Sequence, residues 1–452
     1  MTIAALATPP VSGALGIIRL SGPDALSCAG TLFEPNNGKP LSKQPSHKAV
    51  YGQLRLDGRV LDQGLCLIMR GPHSPTGEDV AELHLHGSMV VLNAALAALW
   101  KGGARPAQPG EFTRRAFLNG KLELSQAEAV RDLVAAQTLD AAFNAAGQLS
   151  GVIERRYMSI HDALAGLLAQ FQAVADYPEE DLPPNEVSNM LAALGDILAD
   201  LQSLLDTYGQ QGRLLKEGVR CAIIGKPNVG KSSLLNALAG FDRAIVSEAP
   251  GTTRDTLEEN VHLGGVLLRL TDCAGLRPTQ DPLERQGVDR SRAAAEQAGL
   301  LFVVLDASQA LDDDDRRALD YARESPAVIL LNKCDLPAQV EGEALEAAFL
   351  HVCRVSALTG EGLDYLDSVV RRLFDTRAIC DGSVLTGARQ AEAMRATLQA
   401  AQEARDALER GYTPDAVMGE LERAMNALSD LTGRAMSEDM LDKIFEEFCV
   451  GK

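Results

Sequence analysis

The chain has 452 residues, 23% of them charged and 46% apolar, the proportions of a globular protein with room for two to four domains. Its formal net charge of −19 opposes broad, non-specific nucleic-acid binding, so any RNA contact is expected on one local surface or shared with a partner. No run of about 18 apolar residues offers a membrane span, the Met1-Thr-Ile-Ala start lacks a signal-peptide pattern, and the eight cysteines are scattered without a Cys-x-x-Cys, which fits a reducing cytoplasm.

Residues 1–118 read as a compact α+β domain. The segments "GALGIIRLSG" (13–22), "GLCLIMRG" (64–71) and "DVAELHLHG" (79–87) are expected as short strands ended by glycine, and "SMVVLNAALAALWKGG" (88–103) as a helix stopped by a glycine pair. From about 122 apolar residues recur at spacings of three and four for roughly fifty positions, which predicts two or three long helices. "YPEEDLPP" (177–184) breaks the run and 186–208 resumes it. From Val219 the apolar runs "VRCAIIG", "VLLRLTD", "LLFVVLD", "AVILLNK" and "HVCRVSA" alternate with amphipathic stretches, which predicts a doubly wound, mainly parallel sheet. Helical periodicity returns over 386–450. The layout is an all-α domain built from 119–217 and 379–452, with an α/β phosphate-loop domain (218–378) inserted in it; the inserted domain's two ends are expected close together.

"GKPNVGKS" (225–232) follows a buried strand and precedes a helix, the proper setting for a phosphate-binding loop. Gly225 and Gly230 let the backbone curl so that N–H groups face the phosphates, and the helix N-terminus adds positive potential. Lys231 is expected on the β- and γ-phosphates and the Ser232 hydroxyl on Mg²⁺. Asn228, Val229, Gly230, Lys231, Ser232 and Ser233 form the nucleotide contacts of this loop. "NKCD" supplies Asn332, Lys333 and Asp335, which the general likeness to GTPases makes the guanine reader. Asp335 would accept from the ring N1–H and the exocyclic amine, while Ser356 and Ala357 of "VSAL" form the accompanying loop. "SEAPGTTRD" (247–255) sits where a first switch belongs. Its Ser247, Glu248, Ala249, Pro250, Gly251, Thr252 and Thr253 are nucleotide contacts, with Thr253 on Mg²⁺. In "LTDCAGLRP" (270–278), Asp272 would hold Mg²⁺ through water, Cys273 and Ala274 follow, and the Gly275 N–H would face the γ-phosphate.

Many such switches carry glutamine after that glycine to position the attacking water; here the residue is Leu276. Three accounts stand: a dead switch, an activating partner, or another internal residue. Asn228 favours the third. Its pattern resembles GTPases that hold K⁺ beside the phosphates, with Ser247, Ala249 and Thr252 of the switch loop completing the site, though a turn role for Asn228 accounts for the residue too. Glu284, just past the second switch, can position water through its carboxylate; stabilisation of a helix start by its charge is the competing account.

The quoted motifs, together with "TGEDVAELHLHG", "PGEFTRRAFLNGKLELSQAEAV" and the terminal "FCVGK", resemble the MnmE (TrmE) family of tRNA uridine-34 modification GTPases along the whole chain. That resemblance implies three domains: a dimerising N-terminal domain like tetrahydrofolate-binding modules, the two-segment helical domain, and the G domain. It implies a homodimer activated when K⁺ and GTP bring two G domains together, with Glu284 as the catalytic glutamate. It also implies a heterotetramer with an FAD-dependent MnmG-type partner. Together these add an aminomethyl or carboxymethylaminomethyl group at C5 of the wobble uridine of certain tRNAs, consuming a 5-formyl- or 5,10-methylene-tetrahydrofolate unit and ammonium or glycine. Carried over, the folate site is Arg19, Glu78 and Lys121 with Lys452 nearby, and pairing of folate carboxylates with Arg and Lys is chemically sound. "RRAFLNGK" (114–121) is also the best local basic patch for RNA or a partner. Cys449, between Phe448 and Val450, is a candidate nucleophile or a packed thiol. His84 and His86 share a strand face but lack a third metal ligand. A ribosome-assembly GTPase is the nearest rival reading, and no Gly-x-x-Gly RNA-binding appendage supports it.

Overall fold

The computed structural model describes residues 1–175, 184–245, 258–272, 298–374, 381–433 and 438–451. By backbone contacts the chain divides into two compact units, one of Met1–Val134, Gln148–Gln202 and Gly387–Lys452, the other of Ala135–Gly147 and Ser203–Thr386.

The first unit carries a seven-stranded sheet of β1 (Ile3–Leu6), β2 (Leu15–Ser21), β3 (Phe33–Pro35), β4 (Lys48–Leu56), β5 (Arg59–Met69), β6 (Val80–His86) and β7 (Arg105–Pro106), in the order β3-β4-β5-β6-β2-β1-β7. Every pairing is antiparallel except β1 with β7. The period-two pleat decides what each face does. Ile18 and Leu20 of β2 and Ala81, Leu83 and Leu85 of β6 are buried in one core with Leu92, Leu96 and Leu99 of the Met89–Lys101 helix. Arg19 and Ser21 therefore lie on the other face, with Glu82 opposite Arg19 and His84 opposite Ile17 in register. β5 begins well before the expected segment because Asp57 and Gly58, both at positive φ, turn the chain from β4 in a tight hairpin.

The same unit holds the helices Leu124–Ala135, Val152–Ala175, Ala388–Glu409, Pro414–Thr432 and Glu438–Glu446. Ala388–Glu409 and Val152–Ala175 both pack on Pro414–Thr432, so helices from two distant stretches of chain share one core. Glu128 ties them further: it accepts from Arg389 Nε at 2.8 Å and Nη2 at 2.9 Å and from Gln390 Nε2 at 2.8 Å. Over 124–175 the periodicity resolves into three helices, Leu139–Leu149 being the middle one.

The second unit contains β8 (Val219–Ile224), β9 (Glu258–Leu263), β10 (Val266–Asp272), β11 (Leu300–Asp306), β12 (Ala327–Asn332) and β13 (Val352–Arg354), ordered β13-β12-β11-β8-β10-β9. All pairs are parallel except β9 with β10. The five expected strands are present, and β11 is buried at every residue, as a central parallel strand must be. The addition is β9, an antiparallel edge strand turned into β10 by Gly264 and Gly265 at positive φ. Strand order reverses around β8, which places a crevice at the carboxyl ends of β8, β11 and β12. The fold class is the expected one: an α+β N-terminal domain, an all-α domain and an α/β domain inserted in it.

Among the described residues no helix is long and apolar enough to cross a membrane.

Candidate functional site

The loop Gly225–Gly230 emerges from β8 into that crevice and enters the Lys231–Ile245 helix. Gly225 has φ +151°, and a Cβ there would stand 2.3 Å from the Val304 carbonyl of β11. Gly230 has φ +98°, and its Cβ would stand 2.3 Å from Asn332 Nδ2. Both positions therefore require glycine on conformation and on space. Lys231 Nζ donates to the Gly225 carbonyl at 2.7 Å and the Lys226 carbonyl at 2.8 Å, which folds the amine over the loop's concave side. Ser232 and Ser233 are exposed on the helix's first turn, where unpaired N–H groups and the helix dipole favour an anion. Asn228 is exposed at φ +67°, and its side-chain amide makes no hydrogen bond among the described residues, so its oxygen is available to a cation.

Asn332 joins this loop to the loop that follows β13. It is 1% exposed, Nδ2 donates to the Val229 carbonyl at 2.7 Å, and Oδ1 accepts from the Ala357 N–H at 3.0 Å. Lys333, at φ +64°, donates to the Asn228 carbonyl at 3.1 Å and to Asp306 Oδ2 at 2.6 Å. Burial pushes the Asp306 carboxyl up, but hydrogen bonds from Lys333 and Ser308 outweigh it and hold it below the usual carboxylate range. The buried Ser356 hydroxyl donates to Asp335 Oδ1 at 2.6 Å, which fixes an otherwise exposed carboxylate at the crevice mouth. The sequence-named residues Asn228, Val229, Gly230, Lys231, Asn332, Lys333, Asp335, Ser356 and Ala357 are thus brought into one hydrogen-bonded constellation. Asp306 was not singled out in the sequence; its signal is the terminal Asp of "LLFVVLD", which ends the strand beside β12.

The backbone of Asp272 ends β10 beside Ile223 of β8. Its side chain lies outside the described residues, as do Ser247, Glu248, Ala249, Pro250, Gly251, Thr252 and Thr253, then Cys273, Ala274, Gly275 and Leu276, and also Glu284 and Lys452.

The N-terminal unit presents a polar network on the sheet face away from the core. Arg19 Nε donates to Glu82 Oε1 at 2.7 Å, and its guanidinium lies 5.7 Å from the Phe112 ring centroid. Glu78 Oε2 accepts from Ser21 Oγ at 2.8 Å and Arg115 Nη1 at 2.7 Å. Arg115 also donates to Glu111, and Glu111 pairs with both terminal nitrogens of Arg105. Burial pushes the Glu111 carboxyl up, and the bonds from Arg105, the Gln108 N–H and Arg115 overcome this and lower it. Ser21 links Arg19's strand to Glu78, whereas Lys121 stands apart from the network, exposed after the Glu111–Leu118 helix. The basic patch expected over 114–121 is largely neutralised: Arg114 pairs with Asp442 at 3.0 Å and Arg115 with Glu78 and Glu111.

The chain's end docks on this unit. Val450 bridges Pro109, the Gly110 N–H donates to the Cys449 carbonyl, and Gly451 packs so tightly on Leu6 that a Cβ would meet its carbonyl at 2.1 Å. Phe448 is buried while Cys449 and Val450 are exposed, so Phe448 does the packing and the thiol does not. His84 bonds Glu82 at 3.2 Å and His86 bonds Asp62 at 2.7 Å; among the described residues no cluster of three or more His, Cys, Asp or Glu can hold a metal.

Comparison with known proteins agrees with this layout. Residues 2–121 match the family model described as the GTP-binding protein TrmE N-terminus, and residues 124–449 match the MnmE helical domain. The tRNA modification GTPase MnmE of Symbiobacterium thermophilum is 44% identical over 100% of this chain and 99% of its own length. That of Heliobacterium modesticaldum is 42% identical over the same shares, and that of Syntrophotalea carbinolica 40%. Among solved structures, a point variant of Aquifex aeolicus Era bound to GDP·AlF4⁻ aligns at 26% identity over 40% of this chain and 66% of its own, with a TM-score of 0.27; the fold assignment rests on the strand order, not on that likeness. By motifs, architecture and full-length similarity, the chain belongs to the MnmE family of tRNA modification GTPases.

Proposed function

We propose that the chain hydrolyses GTP, activated by K⁺ and by pairing of two G domains in a homodimer. This drives modification of C5 of the wobble uridine of certain tRNAs in the cytoplasm, together with an FAD-dependent partner. The observation that carries the nucleotide half is the bridge made by Asn332, which binds the phosphate loop at Val229 and the base-reading loop at Ala357 in a single buried side chain. One residue thereby sets the spacing between the phosphate and guanine ends of the ligand. Lys231 meets the β- and γ-phosphates, Asp335 accepts from the guanine N1–H and amine, and the Gly225–Gly230 cradle leaves room only for backbone N–H groups against the phosphates.

Mg²⁺ held by Ser232 and Thr253, with Asp272 acting through water, neutralises phosphate charge. The exposed Asn228 amide suits K⁺ together with Ser247, Ala249 and Thr252, and such a cation takes the place of an arginine finger. Glu284 positions the attacking water, so Leu276 does not mark a dead enzyme. In the N-terminal unit, Arg19 keeps two terminal nitrogens and Glu78 keeps Oε1 without partners among the described residues, and Lys121 is exposed. These donors and acceptor suit the carboxylates and pterin N–H groups of a tetrahydrofolate derivative, with Lys452 nearby; the bound folate supplies a one-carbon unit.

GTP turnover by the full chain in KCl and in NaCl, with Glu284→Ala alongside, tests the first half. Equal rates in the two salts would sink the cation assignment, and an unimpaired variant would sink the glutamate. Nucleoside analysis of tRNA from cells lacking the chain tests the second half: unchanged wobble uridines refute it.

A further inference from the structure

We propose that Lys226 is a positioning residue of the phosphate loop, whose ion pair with Asp312 and Asp315 holds the carbonyls that aim Lys231. Lys226 stands second in "GKPNVGKS", a place where the turn itself demands no charge. Its ammonium lies 2.8 Å from Asp312 Oδ2 and 2.8 Å from Asp315 Oδ2. Both aspartates belong to a rigid support. Asp312 caps the Asp313–Glu324 helix, accepting from the Asp314 and Asp315 N–H groups, and Asp315 reaches back to the Asp312 N–H in a reciprocal box. The tether therefore runs from the loop to a helix start that is locked on itself.

The pair is sheltered. The Lys226 side chain is 13% exposed and that of Asp315 2%. Hydrogen bonds donated to the two aspartates raise the Lys226 ammonium to about 12, and the bond from Lys226 is the main reason the Asp312 carboxyl falls to about 2. The cation is thus engaged by carboxylates and does not compete for phosphate. Its backbone does the second job: the Lys226 carbonyl, with that of Gly225 before it, accepts from Lys231 Nζ. Fixing the Lys226 side chain fixes the orientation of its own peptide, and so the direction of the amine that meets the anion. Lys231 reaches its ligand already oriented, which removes an ordering cost from binding.

This inference rests on the nucleotide-binding reading above, and its consequence is confined to the phosphate end of the ligand. Lys226→Met alone would strand the buried Asp315 carboxylate, whose Oδ1 has no hydrogen-bond partner, and would risk unfolding. The informative protein is therefore the double variant Lys226→Met/Asp315→Asn, in which charge and countercharge leave together, with Lys226→Arg as the conservative control. In the full chain, fluorescent GDP affinity, GMP affinity by competition, and KM and kcat for GTP would be measured. The double variant should weaken GDP about tenfold and GMP by about twofold or less, and raise KM more than it lowers kcat; Lys226→Arg should restore GDP binding to within about twofold of wild type. Equal loss of GDP and GMP, no rescue by arginine, or wild-type GDP affinity in the double variant would each overturn the proposal. Wild type that binds no guanine nucleotide would overturn the GTPase reading as well.

Discussion

Replacing Asn332 with alanine should damage stability and nucleotide binding together, because one buried amide serves both. Asn332 Nδ2 satisfies the Val229 carbonyl at 2.7 Å and Oδ1 satisfies the Ala357 N–H at 3.0 Å. Alanine leaves both backbone groups without a partner in a site where the side chain is 1% exposed. Each orphaned group costs about 1–3 kcal/mol, so the loss is about 2–6 kcal/mol. Asn332→Asp separates the two bonds: it keeps the acceptor for Ala357 but sets a carboxylate oxygen against the Val229 carbonyl, and should be at least as damaging. The single tryptophan, Trp100, is in the other compact unit, so hydrogen exchange of β11 and β12 amides is the suitable measurement, with GDP affinity beside it. Protection should fall by about one and a half to four orders of magnitude and GDP should weaken at least about tenfold. A change below about 1 kcal/mol with unaltered GDP binding would refute the bridging role.

Glu128→Ala should destabilise the unit holding the helices by about 3 kcal/mol, since it strips the partner from Arg389 in a pair whose side chains are only 7% and 21% exposed; urea unfolding read by Trp100 fluorescence checks it, and a loss under about 1 kcal/mol would contradict it. The lowered Glu111 carboxyl contributes stability above its unfolded value of about 4.5 that is lost as pH falls through its lower folded value. Thermal midpoints of wild type and Glu111→Gln should therefore differ at about pH 6 and converge as pH falls below about 4.5; a gap that stays constant would show that Arg105 and Arg115 do not set the shift. Asp335→Asn exchanges an acceptor for a donor at the guanine edge, so GTP turnover should fall at least about tenfold while xanthosine triphosphate, with a carbonyl at that edge, becomes the better substrate; unchanged base preference would remove Asp335 from the reader.

Much of the nucleotide site was legible because its chemistry is local. A glycine-rich turn between strand and helix, and an Asn-Lys-x-Asp after a buried strand, each state their geometry within eight residues. The strands of the inserted sheet were legible for the same reason: parallel strands buried on both faces read as continuous apolar runs. β9 and β4 were not, since "EENVHL" and "KAVYGQLRL" mix charge with apolar residues, and only their partners make them strands. The cysteine near the end illustrates the limit: its flanking Phe448 and Val450 suggest packing, yet with the tail bridging Pro109 the thiol is exposed.

From the sequence by itself came the fold class, the order of the segments, the glycine-rich turn between strand and helix and the family, because periodicity and short motifs carry that information along the chain. Which charges cancel was decided only by tertiary structure. Arg114 and Arg115 read as a basic patch, yet Asp442, Glu78 and Glu111 neutralise them from 37 to 328 residues away or from the turn before. Lys226 reads as one more surface lysine until Asp312 and Asp315, 86 and 89 residues on, close around it. Pairing of charges depends on distances of about 3 Å in space, and residue spacing records those only within a helix or a hairpin.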